Sequence, residues 1–285
     1  MQIFLTHTDT PYRLYREPGV DLHVSPVSLS IYEKATILFA FWCHHGYSDE
    51  EGWHHFLNMK NLFATWQKGL PHHVQSILSI EDVRILSSAP EERMEKLYQL
   101  GIRTITPLWR GISSIGGAYD TDVGLTPLGV KICSMAQEMG IHLDISHANP
   151  KSAKEILAIS RHYGIPPLAS HSNFYEICPH RRNLSDELAL EVANLGGVIG
   201  ISFVPPHLGH GEDLEAIATH VRHGVKLGLS HHLVLGTDYD GTDTLPHGME
   251  KGVEDLPKLY SFLVTMGFSL SFVENLFYQN AYLFF

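Results

Sequence analysis

The chain has 285 residues, 44% of them hydrophobic and 18% charged, with three cysteines and a formal net charge of −11 when histidine is neutral. That balance belongs to a globular protein with a full core. The negative charge disfavours nucleic acid as a partner, and Cys43, Cys133 and Cys178, with no Cys-x-x-Cys pair, supply neither a disulfide framework nor a cysteine-based zinc site.

In chain order, short apolar runs alternate with amphipathic segments. Strands are expected at Ile3–Thr6, Ile37–Trp42, Ile77–Ile80, Thr104–Thr106, His142–Ile145, Pro167–Ser170, Val198–Phe203 and Leu233–Gly236. They are mostly apolar, as strands buried on both faces should be. Residues 45–76, rich in His, Trp and Asn, are expected to form an irregular loop and helix. Thr126-Pro127 reads as an N-cap with proline at the first helical position, closed by Gly140. Ser185 caps a segment ended by Gly196-Gly197, and Asp213 to Leu227 carries Leu214, Ile217, Ala218, Val221 and Val225 on one face before Gly228. Ser269 or Ser271 opens a last helix. Eight βα units predict an α/β fold, a TIM-like (β/α)8 barrel forming a single domain over residues 1–285. No apolar run approaches the roughly 18–20 residues that span a bilayer. Polar residues begin at Thr6, too early for a signal-peptide core. A cytoplasmic protein with no membrane partner is therefore expected.

Polar residues close several of the strand candidates. His7-x-Asp9 ends the first, and because residues i and i+2 of a strand face one side, both side chains can reach one ion. Glu81 ends the third, where a carboxylate can bridge two cations; His147 and His171 follow the fifth and sixth. In a barrel of this kind the C-terminal strand ends meet at one face. Five imidazole and carboxylate ligands there suit a pair of borderline ions, Zn²⁺ first, with Mn²⁺, Co²⁺ or Fe²⁺ admissible. Asp238, after the eighth strand, is left to move protons, and Asp240 reads as a turn residue. The arrangement is that of metal-assisted hydrolysis. The doublets His44-His45, His54-His55, His72-His73 and His231-His232 are expected to be solvated or to support ligands, and His142 to pack or orient.

These residues carry a family resemblance. His7-Thr8-Asp9, Ile80-Glu81, Gly124-Leu125-Thr126-Pro127, Leu143-Asp144-Ile145-Ser146-His147, Ser170-His171-Ser172, Arg181-Arg182-Asn183-Leu184, Gly236-Thr237-Asp238-Tyr239-Asp240-Gly241 and Asn280 together resemble the renal (membrane) dipeptidases, zinc-dependent members of the amidohydrolase-like barrels. The resemblance implies a dipeptidase that cleaves its substrate with a metal-bridging hydroxide. His7, Asp9 and Glu81 would hold one zinc; Glu81, His147 and His171 would hold the other, with Glu81 bridging. Arg182 would hold the substrate carboxylate, Tyr175 would line the same pocket, and Asp238 would carry a proton from the water to the leaving amine. A homodimer is implied too.

The chain departs from the family in three places. Trp109 stands where the animal enzymes carry a substrate-contacting His, which leaves Arg110 as the candidate for its charge. Residues 10–80 match weakly outside Phe41-Trp42, and Met1 falls immediately before the first strand, where animal members carry a secretion signal. The rival functions are a related amidohydrolase acting on lactones, N-acyl amino acids or β-lactams, and a non-catalytic metal-binding barrel.

Overall fold

A computed structural model describes residues 1–209 and 211–285. Its centre is a single sheet of eight parallel strands: β1 (Gln2–Thr8), β2 (Lys34–Trp42), β3 (Val74–Glu81), β4 (Ile102–Thr106), β5 (His142–Leu143), β6 (Leu168–Ala169), β7 (Val198–Ile201) and β8 (Leu233–Leu235). They are ordered β5-β4-β3-β2-β1-β8-β7-β6, and a parallel bridge from Asp144 to Leu168 joins the two ends into a barrel. The eight strands and the expected barrel are therefore present.

The differences lie in length. β2 and β3 each begin three residues before their expected starts. β5 and β6 shrink to two residues each because the Asp144 carboxylate accepts from the backbone N–H groups of Ser146 and Ser170, both at 2.9 Å, where ladder bonds would otherwise continue. Residues 45–76 are far more regular than expected. Ser48 and Glu51 form a capping box, and an 18-residue helix runs over Asp49–Trp66. Its buried face is Gly52, Phe56, Met59 and Phe63, a helical spacing that the intervening Trp and His residues obscure.

The expected helix starts hold. Thr126, Ser185 and Asp213 accept from the backbone N–H groups of Gly129, Leu188 and Ala216, and Ser269, not Ser271, caps the segment beginning at Leu270. Gly140, Gly196 and Gly228 follow the helices at positive φ, the left-handed turn that lets the chain reverse into the next strand.

Every residue of β2 from Ala35 to Phe41 is buried, as between a filled interior and an outer ring of helices. Inside the barrel the packing is tight on the β6–β8 side. A Cβ at Gly200 or Gly236 would lie 2.0 Å from the Ser170 carbonyl oxygen. At the N-terminal end Phe4, Leu168, Val198 and Val234 pack against Tyr278 and Ala281 of the C-terminal helical run. Asn280 ties that run to β8 by donating to the Ser230 and Leu233 carbonyls at 2.9 and 2.8 Å. The polar strand ends are thus left to the opposite face. Among the described residues no helix is long and apolar enough to cross a membrane.

Candidate metal centre

The C-terminal ends of the strands bring His7, Asp9, Glu81, His147, His171 and Asp238 together, all in or against the barrel mouth. From His7 Nε2 the distances are 3.4 Å to Asp9 Oδ2, 3.9 Å to Glu81 Oε2 and 3.9 Å to Asp238 Oδ1. On the other side Glu81 Oε1 lies 3.0 Å from His147 Nε2 and 3.5 Å from His171 Nε2. The two oxygens of Glu81 therefore face different histidines, the disposition of a bridging carboxylate.

The donor set fits metal ions. Atoms bound at about 2.1 Å to one tetrahedral ion lie roughly 3.4 Å apart, close to the spacings above. His7 Nε2, Asp9 Oδ1 and Glu81 Oε1 are buried with no hydrogen-bond partner, an expensive state for polar atoms that no ligand satisfies. His147 Nε2 and His171 Nε2 face each other at 3.0 Å. Each ring is held from behind at Nδ1. His147 is bonded to the Trp109 carbonyl at 2.8 Å, and His171 and His7 both reach Ser170 Oγ, at 2.8 and 3.3 Å. Ser170 donates its own proton to Asp144, so it accepts from both rings and leaves their Nε2 lone pairs pointing into the cluster. Thr106 donates to the same Asp144 carboxylate at 2.7 Å.

The electrostatics agree. Burial, then the charges of Arg182 and His7, hold His147 well below its ordinary value; burial, then His7 and Arg182, does the same to His171, so both rings are neutral, the ligand form. Burial also works against the charged form of His7, yet Asp9, Glu81 and Asp238 push it up to about 10. The carboxylates around it thus call for positive charge. Burial raises Glu81 well above the usual carboxylate range, against the pull of His7, and raises Asp238 as well, helped by the neighbouring Asp9.

Backbone shape serves the same end. His147 and Asp238 are non-glycine residues at φ +68° and +59°, conformations that cost about 1 kcal/mol or more and persist where surrounding structure imposes them. Asp240 fulfils its expected turn role at φ +67°, accepting from Thr10 Oγ1 at 2.6 Å and from the His23 N–H at 2.7 Å.

The cluster floors a cleft of about 340 Å³ whose walls include Tyr12, Trp42, Trp109, Tyr119, Arg182 and His207. Arg182 is 5% exposed, and its guanidinium makes one hydrogen bond, to the His171 carbonyl at 3.4 Å. It sits 5.7 Å from the Tyr119 ring centre. Among the described residues no carboxylate pairs with it within 4.0 Å, although burial opposes its charge.

Two expectations need correction. Tyr175 does not enter the cleft. It is 44% exposed and lines a separate depression with Asp122, Arg181 and Leu188, because its backbone pairs with Leu184 and turns the side chain outward. Arg110 is also turned away, toward Asp120 at 3.7 Å. The histidine doublets stay out of the metal cluster, although His45 stacks on Trp109 at 5.0 Å. His142 packs, bonded to the Pro166 carbonyl at 2.8 Å.

Sequence reasoning missed Asp144 as the anchor of both imidazoles. Its signal was available: an acid inside the apolar run Ile141–Ile145 is tolerated only when fully hydrogen-bonded. Tyr119 reaches the cleft from a turn and His207 from the four-residue helix Pro205–Leu208, and neither segment carries such a signal.

A family model described as membrane dipeptidase (peptidase family M19) matches residues 53–283. An uncharacterized dipeptidase of Schizosaccharomyces pombe is 28% identical over 220 residues, 74% of this chain and 52% of that protein, so the match spans about half of the relative's length. Two solved structures share the fold. One, a dipeptidase of family M19, superposes with a TM-score of 0.91 at 21% identity, covering 100% of this chain and 97% of that one. The other, a metallopeptidase of Rhodobacter sphaeroides bound to a phosphinate mimic of the dipeptide L-Ala-D-Ala, gives 0.90 at 20% identity, covering 100% and 98%.

Proposed function

The chain belongs to the membrane dipeptidase family, peptidase family M19, and on that premise we propose that it is a metal-dependent dipeptidase with a two-zinc centre. His7, Asp9 and Glu81 would hold one ion and Glu81, His147 and His171 the other; Mn²⁺, Co²⁺ or Fe²⁺ suit the same donors. When bound, the ions supply Lewis acidity and lower the pKa of water.

The chain's own residues do the rest. The observation that carries the reading is Arg182, a buried guanidinium with no carboxylate partner among the described residues, beside the proposed ligand cluster. A substrate carboxylate would complete it, and the planar fork suits that anion. Fixing the carboxylate there sets the adjacent peptide carbonyl over the cluster, which favours dipeptides over long chains. Asp238, held above the usual carboxylate range by burial and by Asp9, is suited to take a proton near neutrality and to return it to the departing amine. Trp109 closes the wall against solvent, 4.6 Å from Trp42, and orients His147 through its carbonyl.

Arg182→Met tests this reading. Loss of a charge-assisted pair of about 1.5–3 kcal/mol should raise KM for Ala-Ala roughly tenfold to a hundredfold, and should leave hydrolysis of the C-terminal amide Ala-Ala-NH₂ nearly unchanged. Equal loss on both substrates would remove the carboxylate-binding role. Faster turnover of a lactone or β-lactam than of any dipeptide would favour the related amidohydrolase activity.

A further inference from the structure

We propose that a second chamber, behind Trp42, receives the side chain of the substrate's N-terminal residue, and that Arg16 at its doorway selects an anionic one. The inference rests on the dipeptidase reading above and names its substrate class.

The chamber, of about 410 Å³, adjoins the metal cleft: Tyr12, Arg16 and Trp42 line both. Its position relative to Arg182 decides which residue can enter. Arg182 follows β6, whereas Tyr12 and Arg16 follow β1 and Trp42 ends β2; β8 and β7 lie between β1 and β6 in the ring. A dipeptide with its carboxylate on Arg182 and its scissile carbonyl over the ligands extends its N-terminal residue toward β1 and β2.

The lining sets the chemistry. It contains no carboxylate, unlike the metal cleft with Asp9, Glu81 and Asp238. It offers donors instead: the Tyr47 hydroxyl, the Nε2 of His44, whose Nδ1 accepts from the Gly46 N–H at 2.9 Å, and the Trp42 indole, whose Nε1 is buried and has no hydrogen-bond partner among the described residues. The Tyr15 hydroxyl and His55 Nδ1 are bonded to each other at 2.6 Å. Arg13, one turn earlier on the same helix, is bound by Asp243 at 2.6 Å and Glu17 at 3.3 Å. Among the described residues the one carboxylate within 4.0 Å of Arg16 is the adjacent Glu17, at 3.6 Å. Arg16 is therefore the cation available at the doorway.

The wall is also built in advance. Arg84, anchored by Asp82 at 3.1 Å, donates to the carbonyls of His44, His45 and Tyr47 and so fixes the turn that carries His44 and Tyr47. The field inside is positive: burial, then His45, Arg84 and Arg16, hold His44 below its ordinary value. A chamber of this volume falls in the range of whole small-molecule sites, so size excludes no natural side chain. Charge and hydrogen-bond acceptance do the selecting.

The test compares kcat/KM for Glu-Ala, Gln-Ala, Ala-Glu and Ala-Gln in zinc-loaded wild type and Arg16→Gln. Gln for Glu keeps shape and removes charge. Wild type should favour Glu-Ala over Gln-Ala roughly fivefold, the effect of one partly exposed charge pair. In Arg16→Gln that ratio should fall to near one, and Ala-Glu over Ala-Gln should stay near one in both proteins. A Glu-Ala preference that is absent, or that survives Arg16→Gln, overturns the inference while leaving the dipeptidase reading intact. So does a preference that appears at the C-terminal position instead. Failure to hydrolyse any of the four overturns both.

Discussion

Gly241 is the position where one methyl group should damage the metal centre most. Its amide donates to the Asp238 carbonyl at 3.2 Å, and its φ is not in the left-handed region, so alanine brings no backbone strain there. The damage comes from contact. A Cβ at residue 241 would lie 2.2 Å from Asp9 Oδ2 and 2.4 Å from Asp238 Oδ1. Ordinary non-bonded contact needs about 3.5 Å, so both carboxylates must retreat by about 1 Å. Asp9 Oδ2 is the oxygen that faces His7 Nε2 at 3.4 Å, so the shift falls on a proposed ligand and on the proposed proton carrier at once. Misplacement of about 1 Å can cost about a hundredfold in rate, and disturbed ligand positioning typically costs 10–100-fold in metal affinity. Gly241→Ala should therefore show kcat for Ala-Ala reduced about a hundredfold at saturating zinc. Zinc should be lost to a weaker chelator than strips wild type, while the far-ultraviolet circular dichroism stays unchanged. A kcat within about threefold of wild type, with equal zinc retention, would refute the placement of Asp9 and Asp238 at the reacting centre.

Asp144→Asn keeps the side chain's shape, but its single oxygen cannot serve both the Ser146 and Ser170 amides, now on Oδ1, and the Ser170 and Thr106 hydroxyls, now both on Oδ2. With the oxygen kept on the amides, the Ser170 hydroxyl is freed to turn toward the histidines. Zinc affinity should fall about 10–100-fold by competition with a fluorescent chelator, with activity restored at higher zinc; unchanged affinity would show that Asp144 has no role in holding the imidazoles. His220 gives a pH-dependent stability far from the metals. Burial lowers it to about 4, and it is held neutral, accepting from the Phe174 N–H at 3.2 Å, with its other ring nitrogen 3.2 Å from the Leu208 carbonyl. The unfolded chain takes up the proton near 6.5, so the stability from this group is complete above 6.5 and is lost as pH falls toward 4. The loss between pH 8 and 5.5 should be about 1.4 kcal/mol. In urea titrations His220→Gln should show a pH dependence smaller by that amount, and an identical dependence would contradict the assignment.

The barrel and its candidate ligands were legible because each candidate ends or follows a buried apolar strand, and a one-dimensional pattern records that directly. His7, Glu81, His147 and His171 all meet at the mouth for this reason. The long helix Asp49–Trp66 was hidden because Trp53, His54 and His55 interrupt its Gly52-Phe56-Met59-Phe63 stripe. Tyr175 lies close to His171 and Arg182 in sequence but not in space. Between them the chain makes an excursion, pinned where Phe174 bridges to Leu184, that carries Tyr175 outward. The chamber behind Trp42 was illegible for a different reason. It is assembled from the helix after β1, the end of β2, the turn pinned by Arg84 and the helix beyond it, and no one segment of that set has a pattern of its own.

A zinc titration of chelator-stripped protein, followed by Ala-Ala hydrolysis and by metal analysis of the same samples, bears on the whole reading. Stripped protein should be inactive, and activity should return with zinc and saturate as bound metal reaches two ions per chain. Full hydrolysis by protein shown to be metal-free, or restored zinc with no hydrolysis of any dipeptide, would contradict it.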